Sequence, residues 1–102
     1  MKKGTMSPAA VLFQAGVVRA VGHPLRIQML MYIGGKERQV SEIIEYLHTN
    51  AANVSRHLGI LRRAGVLAAR KRGRCVYYRV AMSSVLEFLD SLGKTLDRKM
   101  SR

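Results

Sequence analysis

The stretch "NVSRHLGILRRAGVLAARKRGRCVYYRV", residues 53–80, carries eight basic side chains and no acid. They are Arg56, Arg62, Arg63, Arg70, Lys71, Arg72, Arg74 and Arg79. Apolar residues run through the same stretch at regular intervals, so one segment combines core-forming capacity with unneutralised charge. A helical wheel over residues 51–64 separates the two. Val54, Leu58 and Leu61 fall on one side and must pack inward. Ala52, Arg56, Gly59 and Arg63 fall on the other, with Asn53 and Ser55 flanking them near the N-terminal end. A solvated surface helix usually mixes charge signs, and this face holds no acid. Small residues for close approach, Arg or Asn for base edges and flanking cations for phosphate are what a helix needs to enter a DNA major groove.

Local signals fix the limits of that helix and of the hairpin after it. Asn50 is the expected N-cap and Gly65 the C-terminal stop. "VLAAR" and "CVYYRV" flank "KRGR", the pattern of a β-hairpin turning around Gly73. Arg70, Lys71, Arg72 and Arg74 then stand around a glycine turn, as in a wing that reaches the phosphate backbone or the minor groove beside the helix, with Lys71, Arg72 and Arg74 at the tip. Upstream, Ser7 before Pro8 predicts a helix over residues 8–21 behind a frayed, basic N-terminus at 1–7. "PLRIQMLMYI" reads as a second helix, buried around most of its circumference through Ile27, Met29, Leu30, Met31 and Ile33. Val40, Ile43, Ile44 and Leu47 mark a third helix, and "HTN" is only a turn, so residues 40–64 form a helix–turn–helix. Ser83 or Ser84 is expected to cap a last helix over residues 83–100. The fold class is mainly α with a small β-hairpin (α+β): a single winged helix–turn–helix domain over residues 1–102, with four helices, a wing at 66–80 and a fifth helix.

Composition agrees. The chain has 102 residues, 48% of them apolar, and a formal net charge of +12. Normal hydrophobicity argues for a folded domain, and the charge excess for a polyanionic partner, nucleic acid before acidic membrane. Residues 51–102 hold twelve basic groups against Glu87, Asp90 and Asp97. The lone cysteine, Cys75, permits no intrachain disulfide and suits a reducing cytoplasmic setting. Gln14 and Arg19 interrupt the apolar N-terminal run at helical spacing, so it reads as an amphipathic helix rather than a signal peptide. No apolar run approaches the roughly 18 residues of a membrane span.

"VGHPLRIQML", "VSEIIEYL", "NVSRHLGILRRAGVL" and "GRCVYYRV", in that order and spacing, resemble the ArsR/SmtB family of winged-helix repressors over roughly residues 10–97. The combination "VSRHLxxLRxAGxL" then "GRxVYYR" is far more specific than a lone helix–turn–helix pattern. The resemblance implies a homodimer built through the first and last helices and bound to double-stranded DNA at a palindromic operator. Val11, Ala15 and Val18 on the first helix, with Val85, Leu89, Leu92 and Leu96 at heptad spacing on the last, are the expected interface. Asn50, Ala52, Asn53, Ser55, Arg56, Arg62, Arg63, Lys71, Arg72 and Arg74 are the expected DNA contacts.

Family members often sense metals, but both ligand patterns are broken here. The Cys-x-Cys positions of the third helix are Gln39 and Ser41, and the last helix has carboxylates without histidine. His57 matches a common family histidine beside the core, while His23 stands in a helix junction and His48 in a turn. Neither a metal site nor any cofactor is expected, and the residues specify no inducer. Cys75 beside Arg74 lacks a second thiol in its chain and reads as a wing residue. Glu42 and Glu45 read as solvated helix positions, and no nucleophile–base motif, phosphate loop or cofactor fingerprint accompanies them, so no enzyme is expected. The alternatives to a specific repressor are a sequence-tolerant architectural DNA binder and a module whose basic face meets an acidic protein. Membrane binding fits less well, because the charge clusters on a turn and hairpin instead of one long amphipathic helix.

Overall fold

The helix carrying residues 53–63 is held at both ends by local hydrogen bonds. At its start the Asn53 backbone N–H donates to Asn50 Oδ1 at 2.7 Å. At its end Gly65 N donates to Arg62 O and Val66 N to Leu61 O, both at 3.0 Å, with Gly65 at φ +81°. That pair of bonds needs a left-handed residue, which glycine supplies without a Cβ penalty. The same turn sends Val66 and Leu67, 0% and 2% exposed, straight back into the core.

The computed structural model describes residues 4–101, and the part of the expected frayed terminus at 1–3 lies outside them. In chain order the elements are α1 (Pro8–Val21), α2 (Pro24–Ile33), β1 (Arg38–Gln39), α3 (Val40–Leu47), α4 (Ala51–Arg63), β2 (Leu67–Arg72), β3 (Cys75–Val80) and α5 (Ser83–Met100). Ser7 caps α1 through a bond from Ala10 N at 3.1 Å, and His23 Nδ1 caps α2 by accepting from Leu25 N at 3.1 Å. The five helices and the hairpin occupy the stretches that sequence periodicity predicts.

Three details differ from the sequence reading. The loop before α3 contains a strand: β1 pairs antiparallel with β3, Arg38 opposite Tyr78 and Gln39 opposite Tyr77, so the sheet has three strands in the order β1-β3-β2. Two residues are too few to show period-two alternation, and the pairing is set by a distant strand. Neither Ser83 nor Ser84 caps α5; Met82 occupies the N-cap position without a side-chain bond. In α2, Met29, Leu30 and Ile33 are buried but Ile27 and Met31 are exposed, because the sheet and the other helices cover only one side of it.

One core joins the elements: Met29, Leu30 and Ile33 of α2, Ile43 of α3, Val54, Leu58 and Leu61 of α4, and Val85 and Leu89 of α5. Leu61 lies at its centre, fully buried. Leu61→Ala should therefore cost about 2–5 kcal/mol through lost burial and a cavity that the surroundings only partly fill. Urea unfolding of the two proteins measures the difference.

Candidate nucleic-acid interface

Burial decides which side of α4 is available. Val54, His57, Leu58 and Leu61 face the core, so Ala52, Ser55, Arg56, Arg62 and Arg63 remain exposed on the rest of the helix. Asn53 and Arg56 are ordered together. Asn53 Nδ2 donates to Thr49 Oγ1 at 3.2 Å, and Arg56 Nη2 donates to Asn53 Oδ1 at 2.9 Å. This chain of bonds runs along the first two turns of α4 and limits the rotamers of both side chains. Asn50 has a different part, since its side-chain oxygen is committed to the helix cap. The Arg63 guanidinium lies against the helix over Gly59, where an added Cβ would stand 3.1 Å from Nη1. It lines a groove facing α1 rather than extending the outward stripe.

The wing is a six-residue strand pair with Arg72 opposite Cys75, turned by Gly73 at φ +62° and Arg74. Lys71, Arg72 and Arg74 are exposed. Arg70 is not free. Its Nε and Nη2 donate to Glu37 Oε2 and Oε1 at 3.0 and 2.6 Å, and its guanidinium lies 5.3 Å from the Tyr77 ring centroid. The hydrogen bond from Arg70 is the main reason that the Glu37 carboxyl sits below its ordinary value, with the charges of Arg70, Arg79 and Arg72 adding to it. Glu37 precedes β1, so this fork fastens the wing to the sheet edge. The sequence reading missed both roles, because the partners are 33 residues apart. Tyr78 packs on the core and Tyr77 lies beneath Arg70, as strand alternation requires. Cys75 is half-buried and accepts a bond from Gln39 Nε2.

Behind α4, His57 is only 2% exposed. Arg26 Nε donates to its Nδ1 at 3.0 Å and Arg26 Nη1 to the Ala20 carbonyl at 2.9 Å, while the His23 ring stands 4.6 Å away. An Nδ1 that accepts cannot carry a proton, so the ring is neutral with its hydrogen on Nε2. Burial, then the charges of Arg56, His23 and Arg26, hold the His57 value below 6.5. The unfolded chain therefore takes up this proton first. Its contribution to stability is complete above about pH 6.5 and is lost as the pH falls below that. His57→Gln keeps an acceptor for Arg26 without the titration. Urea midpoints at about pH 7.5 and about pH 5.5 should differ less in this variant than in the wild type.

Of the residues expected at a dimer seam, Val11, Ala15, Val18, Leu92 and Leu96 are exposed. Val85 and Leu89, each 7% exposed, instead belong to the chain's own core, because the first half of α5 packs back onto α2. Phe13 and Phe88, 70% and 52% exposed, join the apolar surface of α1 and α5 and were not singled out from the sequence. Phe88 stands one turn before Leu92, a spacing that could have marked it. Among the described residues no three His, Cys, Asp or Glu come together as a metal site, and no helix is long and apolar enough to cross a membrane.

A helix–turn–helix followed by a basic hairpin defines the winged helix–turn–helix class of DNA-binding domains. The model of the bacterial regulatory protein family arsR matches residues 23–69. An uncharacterised HTH-type transcriptional regulator of Mycobacterium tuberculosis, Rv0081, is 35% identical over 89 residues, covering 86% of this chain and 78% of that protein. The HTH-type transcriptional repressor SmtB of the same species is 39% identical over 75 residues, 72% of this chain and 56% of its own. The homodimeric winged helix–turn–helix DNA-binding domain Mb0332 of Mycobacterium bovis superposes with a TM-score of 0.80 at 27% identity, covering 97% of this chain and 94% of that one. The chain belongs to the ArsR family of bacterial regulatory proteins, which are transcriptional regulators and not enzymes.

Proposed function

We propose that the protein is a homodimeric, sequence-specific transcriptional repressor that occupies a palindromic operator in the cytoplasm. The observation that carries this reading is the ordered Asn53–Arg56 pair on the acid-free face of α4, flanked by Lys71, Arg72 and Arg74 of the wing. The repressor SmtB and the homodimeric Mycobacterium bovis domain support it by likeness. A two-fold dimer would set its recognition helices about one DNA turn apart, roughly 34 Å, in successive major grooves. The seam is the apolar surface of α1 and α5, a groove of about 690 Å³ lined by Phe13, Val17, Val18 and Phe88, with Leu92 and Leu96 exposed farther along α5. A monomer would leave these large apolar groups in water.

A competition assay tests the reading against sequence-tolerant architectural binding. A repressor prefers its palindrome to random duplex by about 10³ or more, and equal affinity for both contradicts it.

Labour divides between helix and wing. Arg56→Ala should cost about 1–3 kcal/mol on the operator and relax preference at one base pair per half-site, with Asn53 and Ser55 as companions. Neutralising Lys71, Arg72 or Arg74 should instead weaken every duplex alike and lower the salt slope by about one contact per subunit. Fluorescence anisotropy on specific and random duplexes at several salt concentrations separates the two patterns.

Leu92→Glu should place a charge in the dimer seam, giving monomers with much weaker operator binding. Sedimentation velocity reads the first effect, and an unaltered dimer would contradict the interface.

A further inference from the structure

A second groove, about 600 Å³, lies between α1 and α4, with Leu12, Ile60 and Ala64 among its apolar walls and Arg19, Arg26 and Arg63 along it. No Asp or Glu lines it, and none of the ion pairs among the described residues involves these three arginines. Arg26 is half-buried and already oriented by the Ala20 carbonyl and His57 Nδ1, yet both acceptors are neutral. Among the described residues its charge therefore has no counter-ion, and its remaining Nη2 is unused by those two bonds. Three guanidinium groups at an apolar cleft suit a ligand with one anionic end and an apolar body. A phosphodiester backbone would meet the arginines but bury nothing against Leu12 or Ile60.

We propose that this groove binds an amphipathic organic monoanion, a carboxylate on an apolar body, and that the bound ligand weakens operator binding. The second half rests on the repressor reading above; the first does not. A carboxylate is the preferred bidentate partner of a guanidinium, so it competes with His57 for Arg26. His57 is buried in the middle of the recognition helix and is the neighbour of Arg56. The ligand-bound arrangement of Arg26 thus differs from the free one at a contact that fixes how α4 is seated. A ligand shifts an equilibrium only through such a difference.

Calorimetric titration of the intact protein without DNA tests the site, using decanoate, decan-1-ol and inorganic phosphate. Decanoate should bind at least about tenfold tighter than either of the others. Arg19→Gln should weaken it about tenfold through loss of one cation. Gly16→Leu should abolish it: Gly16 lines the groove within α1, has open space at its Cβ position and carries no left-handed strain. Both variants should retain the operator affinity of the wild type when no ligand is present. Absence of decanoate binding overturns the site, including the case in which a second copy of the chain fills the groove. Phosphate binding as tight as decanoate also overturns it, as does unchanged binding in both variants. Operator titration at saturating decanoate tests the coupling: affinity should fall about tenfold for the wild type and not for Gly16→Leu. Unchanged wild-type affinity overturns the coupling. Calorimetry needs no operator, so failure of the repressor reading would show separately, as absence of operator preference.

Discussion

Everything in this molecule hangs on holding one short helix by a single face. Helix α4 has thirteen residues, too few to be stable in water from propensity alone. Val54, His57, Leu58 and Leu61 anchor it from below, Asn50 caps its start, and Gly65 closes its end. The opposite face is thereby left with small and basic side chains, and Asn53 and Arg56 are ordered against each other instead of moving independently. The closing turn also feeds Val66 and Leu67 into the core, so the position of the wing derives from the position of the helix.

Charge is arranged around that frame with little internal neutralisation. The chain has 18 basic and 6 acidic residues, and Glu37 is spent fastening Arg70 and Glu42 on the α3 cap. Arg70 is therefore a wing anchor, whereas Lys71, Arg72 and Arg74 beyond it remain free in solvent. Exposed ion pairs contribute little to stability, so the value of the Arg70–Glu37 fork is positional. It sets where the free cations stand.

Features written in local sequence are legible from the residues alone. Ser7-Pro8, Asn50, Gly65 and the "KRGR" turn are short-range signals, and the α4 wheel separates core from surface correctly. Features set by distant partners are not legible in that way. Strand β1 exists only because β3 lies beside it, and the Arg26–His57 bond joins residues 31 apart. The heptad stripe on α5 misleads for a related reason. Val85 and Leu89 share its spacing with Leu92 and Leu96, but α2 reaches only the first half of the helix, so one stripe serves the core and then the surface. Arg63 likewise shares the wheel position of Arg56 yet folds back over Gly59, a choice of rotamer that no periodicity encodes.

Selection of bound duplexes from a random pool bears most directly on the claim that this anchored helix reads DNA sequence as a pair. The expected product is an inverted repeat whose half-sites are about one helical turn apart. With Arg56→Ala, the same repeat should return with preference lost at one symmetric position. Recovery of duplexes with no shared motif, or of a single unpaired half-site, would contradict that claim.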